Sequence, residues 1–238
     1  MPEVNEETKP EEEESQATRE ELGVPEALKD WVPKTKLGRM VLEGKIKSID
    51  EILKLGKPIM EPEIVDYLIP NLKSELVLIG GTPGKGGGIK RTPTRRTARM
   101  HRSGRRYKIS AFVIVGDENG HVGVGMGKAN DHGTAIEKAT NEAKLNLIYV
   151  PRGCGSWECG CGEPHSIPAK CSGKAGSVRV TLIPAPRGLG LCCDDEMKKL
   201  FRLAGIKDIW IKSRGKTKTK FNHILAAFNA LKQLAAMK

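Results

Sequence analysis

The strongest apolar and polar patterning lies between Arg105 and Leu147. Arg105–Val115 reads as a strand with Ala111-Phe112-Val113-Ile114-Val115 as its buried half. Asp117-Glu118-Asn119-Gly120 is a turn, and His121–Gly125 is the returning strand. Gly123, Gly125 and Gly127 alternate there with Val122, Val124 and Met126, so one face carries no side chains. Such a face invites close approach by another backbone, a helix or RNA. Asp131 is placed to cap a helix whose stripe is Ile136, Thr140 or Ala139, Ala143 and Leu147. Lys128, Lys138 and Lys144 then remain for solvent or phosphate.

Pro151–Pro164 is irregular and rich in Cys and Gly, and the pattern resumes after it. Ser166–Ser172 and Ser177–Ile183 read as strands, the second alternating Val178, Val180 and Leu182 with Arg179, Thr181 and Ile183. Asp194–Ala204 reads as a helix with Met197, Leu200, Phe201 and Ala204 inward, stopped by Gly205. Ile209–Lys212 is a further strand, and Lys220–Lys238 a last helix with Ile224, Phe228, Leu231 and Ala235 on one face. The order β-β-α-β-α predicts an α+β layer arrangement with helices on one face of a small sheet.

Upstream the pattern is weaker. Residues 1–22, with the Glu11–Glu14 run, are too polar to offset their ordering entropy and are expected to be a disordered acidic tail. Short helical pieces are expected from Val24 to about Leu72, punctuated by Pro58, Pro62 and Pro70 and lying across another surface. Ser48 opens one of them, with Ile49, Ile52, Leu53 and Leu55 on its apolar side. Leu76–Ile79 is a short apolar strand or helical turn, and Gly80–Gly88 a flexible loop. The expected organisation is therefore a tail (1–22), an extension (23–88), a first domain (89–150), a Cys/Gly linker (151–165) and a second domain (166–238).

Charge changes the picture. From Leu76 to Gly116 there is no acid, yet Lys85, Lys90, Arg91, Arg95, Arg96, Arg99, Arg102, Arg105, Arg106 and Lys108 are packed inside. Cations at that density repel one another unless a polyanion neutralises them, and phosphate contacts release counterions. The alternative is a solvated basic arm, against which the tract ends in a well-patterned strand. The net charge of +11 understates this, because residues 1–30 hold eleven acids against three cations and the remainder carries +19. Only three Trp, three Tyr and four Phe are present, so phosphate and shape contacts fit better than base stacking.

Six cysteines, all after residue 150, fit a reducing cytosol rather than a disulfide scaffold. No apolar run reaches the roughly 18 residues of a membrane span, and the acidic N-terminus lacks a signal-peptide pattern.

Candidate chemistry is sparse. Gly80-Gly81-Thr82-Pro83-Gly84-Lys85-Gly86 has the wrong spacing for a phosphate loop and no Ser or Thr after the lysine. The Gly123–Gly127 alternation lacks dinucleotide-fingerprint spacing. Gly188 and Gly190 could hold an anion on free amides. Cys154, Cys159, Cys161 and His165 bring three thiols and an imidazole into one short segment, the donor set of tetrahedral zinc, with Cys171 beyond. The Cys159-x-Cys161 spacing is awkward for one ion, so reduced thiols are the favoured reading and zinc the alternative. Cys192 and Cys193 read as small packing residues. A zinc deaminase would need His-x-Glu and Pro-Cys-x-x-Cys runs, and neither occurs. Among the histidines, His101 lies in the basic tract, His121 beside a turn and His132 at a helix start. An enzyme acting on RNA is the competing function, and no catalysis is expected.

Several ordered motifs carry a resemblance. Val115-Gly116-Asp117, Gly120, Val122-Gly123-Val124-Gly125 and Gly127-Lys128-Ala129 resemble the core signature of small-subunit ribosomal protein number five. Arg102-Ser103-Gly104-Arg105-Arg106 resembles that family's basic hairpin tip. Pro184-Ala185-Pro186-Arg187-Gly188-Leu189-Gly190-Leu191 and Leu203-Ala204-Gly205-Ile206 are similar to its C-terminal markers, and Cys154–Gly162 to its archaeal branch. The resemblance runs from about Arg99 to the C-terminus. It implies a first domain related to double-stranded-RNA-binding folds and a second, β-α domain of a type also found in enzymes, which by itself assigns no activity. It further implies a cytoplasmic, non-enzymatic constituent of the small ribosomal subunit that binds 16S-type rRNA. Expected neighbours are small-subunit proteins four and eight and the mRNA where it enters, with support for decoding accuracy. No cofactor is required by it. Arg102, Arg105 and Arg106 are the hairpin contacts the family implies, with Lys128 at the strand-helix junction. The basic tract adds Arg91, Arg95, Arg96, Arg99, His101 and Lys108.

Overall fold

The computed structural model describes residues 31–84 and 86–237; the expected acidic tail lies outside them. Three short helices come first, α1 (Lys36–Leu42), α2 (Ile49–Leu55) and α3 (Glu63–Leu68). Then come β1 (Lys73–Leu76), β2 (Gly80–Pro83), β3 (Ile89–Thr92), β4 (Thr94–His101), β5 (Gly104–Gly116), β6 (His121–Ala129), α4 (His132–Leu145) and β7 (Ile148–Tyr149). The second half contains β8 (Cys171–Ala175), β9 (Val178–Pro184), β10 (Leu191–Cys192), α5 (Asp195–Leu203), β11 (Ile209–Arg214) and α6 (Lys220–Ala236).

The first sheet is antiparallel throughout and is organised by β5. Its C-terminal half pairs β1 (Glu75 with Ile114) and its N-terminal half pairs β4 (Arg99 with Arg106), while β6 takes the other edge (Val113 with Gly125). The two faces of β5 have different partners. Ile109, Ala111, Val113 and Val115 share a core with α4 and with Val41, Ile49, Ile52, Ile64 and Val65 of the N-terminal helices. Phe112 and Ile114, with Val122 and Val124 of β6, share a core with Met197, Leu200, Phe201 and Ile224 of the second half.

Glycine in β6 permits the first of these packings. A Cβ on Gly125 would sit 2.3 Å from the Ala139 carbonyl oxygen, and one on Gly127 2.1 Å from that of Ala135. Of the approaches the sequence left open, the helix is the one realised, with Ala135, Ala139 and Ala143 as its buried stripe and Leu147 buried just past its end. Asp131 caps it by accepting from the Gly133 amide. Lys144 is not free for phosphate, since its Nζ donates to Asp66 at 2.7 Å.

The second sheet has the order β10-β11-β9-β8, with β10 and β11 parallel and the rest antiparallel. Helix α6 packs on β8 and β9 and reaches β7, while α5 packs against β5 and β6. Because α6 has neighbours on several sides, its buried set is wider than one stripe. It includes Ala226, Ala227, Ala230 and Leu234, and Leu234 faces inward in place of the expected Ala235. The α5 stripe of Met197, Leu200, Phe201 and Ala204 is fully buried, as its spacing predicts. Polar ties also cross the seam: Glu196 accepts from the Leu78 amide, and Lys199 donates to the Leu76 carbonyl at 2.7 Å.

Four expectations change here. The strand expected at Ser166–Ser172 begins only at Cys171, as β8. Gly80–Gly88 is not a loop throughout, because Gly80–Pro83 forms a ribbon with Ile89–Thr92. The strand or helical turn expected at Leu76–Ile79 does not form there: β1 ends at Leu76, and it belongs to the first sheet although it precedes residue 89. The basic stretch ahead of Arg105 is itself a strand, β4, which its run of Arg and Thr conceals.

Candidate nucleic-acid interface and metal centre

Strands β4 and β5 project beyond the packed sheet as a hairpin turned by Arg102 and Ser103. From Arg95 to Lys108 every residue but Gly104 is exposed, so neither face of this ribbon is buried. Alternation sorts its cations. Arg95, Arg99, His101, Arg106 and Lys108 share the face that, further along the sheet, packs on the second half. Arg96 and Arg105 occupy the opposite face, where the Arg96 guanidinium lies 4.4 Å from the centre of the Tyr107 ring. Arg102 is at the tip. Arg91 stands apart on the β2–β3 ribbon.

The first of these faces forms one wall of a groove of about 1430 Å³. Lys128 joins it from β6, paired with Ser110. The opposite wall is the β11–α6 connection, with Lys216, Lys218 and Lys220. No acidic side chain lines the groove among the described residues. Lys220 is neutralised by Asp194, whereas Arg95, Arg99, Lys108, Lys128, Lys216 and Lys218 enter no ion pair among the described residues. The lysine wall has no counterpart among the sequence expectations. Lys216, Lys218 and Lys220 alternate with threonines (Lys-x-Lys-x-Lys), a local signal, but only folding sets them across from the hairpin.

A different chemistry gathers at the linker. The ligand atoms of Cys154, Cys159, Cys161 and His165 all lie within 4.8 Å of one another. Sγ of Cys159 is 3.3 Å from that of Cys161, which is 3.7 Å from that of Cys154, and Nε2 of His165 is 3.7 Å from Cys159 Sγ. The expected obstacle of a single residue between Cys159 and Cys161 is therefore removed by the fold of the loop. Backbone amides of Cys161 and Arg187 donate to Cys159 and bring its thiol down to about 6. The Glu163 amide favours the Cys161 thiolate too, but its sulfur neighbours outweigh this and raise it. Cys171 takes no part: it is buried in the core, and burial pushes it up to about 11. Cys193 is raised to about 11 chiefly by burial, while Cys192 is exposed rather than packed.

Comparison with known proteins agrees with the two-part architecture. Residues 93–151 match the family model of the ribosomal protein S5 N-terminal domain, and residues 173–238 that of the ribosomal protein S5 C-terminal domain. Small ribosomal subunit protein uS5 of Nanoarchaeum equitans is 55% identical over 211 residues, covering 89% of this chain and 90% of that one. The uS5 proteins of Thermofilum pendens (52%, covering 86% and 94%) and Methanocaldococcus jannaschii (50%, covering 87% and 88%) are similar over most of their length. The fold and these matches define a ribosomal protein of two parts. The chain belongs to the ribosomal protein S5 family, with archaeal uS5 relatives.

Proposed function

We propose that the protein works in the cytoplasm within the small ribosomal subunit, holding 16S-type rRNA in the groove between the β4–β5 hairpin and the β11–α6 connection. The observation that carries this is a two-walled groove with five hairpin-side and strand cations, Arg95, Arg99, Arg106, Lys108 and Lys128, facing Lys216 and Lys218. Such a field suits a phosphate backbone. An A-form duplex is read through phosphates and 2′-hydroxyls, largely by shape, because its major groove excludes side chains. Arg102 and Arg105 extend the interface beyond the groove, and Arg91 and Arg96 reach RNA on other faces. His101 lines the groove near its tip.

The same reading gives the protein small-subunit proteins four and eight as neighbours and places it beside the mRNA where it enters, in support of decoding accuracy. The family resemblance supports these assignments. RNA binding needs no cofactor, and the ion that the Cys3His set suits is zinc in a structural role.

The test is the salt dependence of binding to small-subunit rRNA. Replacing Arg99, Arg106 and Lys108 with Gln together is expected to lower affinity and flatten the log–log slope by about 0.7–0.9 for each phosphate no longer neutralised. An unchanged slope overturns the reading.

A further inference from the structure

We infer that Cys154, Cys159, Cys161 and His165 form a closed, tetrahedral Zn²⁺ centre that latches the segment between the two halves onto the second sheet. Zinc–sulfur bonds of about 2.3 Å and zinc–nitrogen bonds of about 2.0–2.1 Å put neighbouring ligand atoms of a tetrahedron about 3.6–3.8 Å apart. The Cys154–Cys161 and Cys159–His165 separations of 3.7 Å already have that value. Cys159 and Cys161, at 3.3 Å, need only part by about half an ångström to reach it. Four protein ligands leave no open position, so the centre is structural rather than catalytic.

The surroundings are those of a metal-bound imidazole. His165 is buried, and its Nδ1 lies 2.9 Å from Oδ2 of Asp208, which is also buried. With Nδ1 donating to that carboxylate, Nε2 is left as a lone pair aimed at the sulfur cluster. This carboxylate–imidazole pairing orients a ligating histidine and raises its basicity. The other Asp208 oxygen accepts from the Gly190 amide at 2.7 Å.

What the ion would hold follows from the hydrogen bonds around it. Ser166 Oγ donates to the Asp208 carbonyl and accepts from the Ala185 amide, and the His165 carbonyl accepts from the Lys207 and Asp208 amides. Gly153 and Ser166 exchange both backbone bonds. The centre thus joins the linker, the Ala185–Gly190 turn and the start of β11. A segment this rich in glycine has little apolar material of its own, so the ion supplies the fixed point.

The experiment uses the free full-length protein, purified under reducing conditions with zinc present, so its outcome is independent of the rRNA reading. Elemental analysis is expected to give one zinc per chain. Exchange with Co²⁺ is expected to give the visible absorption of tetrahedral cobalt and a thiolate charge-transfer band. His165→Cys should keep the stoichiometry and strengthen that band by about a third, from three thiolates to four. Asp208→Asn should release zinc to a competing chelator at about tenfold lower concentration. Cys192→Ser with Cys193→Ser should change neither reading. Zinc well below one equivalent in the unmodified protein, or cobalt spectra that lack tetrahedral bands, overturns the proposal even if the substituted proteins fail to fold.

Discussion

Arg99 stands directly opposite Arg106 across the β4–β5 ladder, two like charges paired in register on a ribbon with no buried face. Directly opposed like charges weaken a strand pair, and a two-stranded hairpin is marginal on its own. The hairpin therefore holds its cations at a cost that a polyanion would reverse.

Replacing Arg99 with Thr should steady the free hairpin by about 0.2–1 kcal/mol while weakening binding to rRNA. Amide hydrogen exchange in residues 95–108 measures the first effect, and a binding titration the second. Faster exchange in the variant would show that the repulsion is not felt.

Lys216→Gln with Lys218→Gln should reduce the salt slope of rRNA binding by about 0.7–0.9 for each lysine that neutralises a phosphate, and leave the melting temperature unchanged. Both lysines are exposed and unpaired among the described residues, so the fold keeps all its interactions. An intact slope would remove the β11–α6 connection from the interface.

Gly125→Ala tests the packing behind the hairpin. The added methyl would meet the backbone of Ala139 at 2.3 Å, so α4 must move off the sheet. A loss of about 1–3 kcal/mol is expected in urea unfolding. A neutral effect would mean that the helix is not seated as closely as these distances require.

His121 bridges Asp117 and Asp50, at 2.6 Å and 3.0 Å, fastening α2 to the β5–β6 turn. Burial pulls its pKa down, but the bonds to the two carboxylates together exceed this and raise it above 6.5. A raised folded value gives stability that is complete below the unfolded pKa near 6.5 and is lost as pH climbs through the folded one. For Asp117, burial pushes upward, yet the His121 ring and the Asn119 and His121 amides bring it below 3.8. Its contribution is present above 3.8 and fades as pH falls through the lowered value. Asp50→Asn should lower the His121 pKa in an NMR titration and destabilise the protein at pH 6 more than at pH 9. Equal destabilisation at both would refute the bridge.

The parts legible in the sequence are those with local signals. The Ala111–Val115 run, the glycine alternation of β6 and the α5 stripe each carry their period within a dozen residues, and each folds accordingly. Strand β4 is concealed because Arg and Thr without apolar alternation give no strand signal; backbone pairing to β5 makes it one. Leu234 replaces Ala235 on the inner face because a one-stripe pattern does not describe a helix packed on several sides. The lysine wall and the union of His165 with Asp208 depend on residues far apart in the chain, which no spacing reveals. At the cysteines the spacing does not show that the four side chains gather, because a glycine-rich loop can double back where a regular element cannot.

The most direct test of the groove is photo-cross-linking from its two walls in assembled small subunits. A benzophenone side chain placed at Thr97 on the hairpin, and separately at Lys218, should attach to the same rRNA element from both positions. Cross-links to unrelated RNA segments, or none from either position in subunits that contain the protein, would contradict the account.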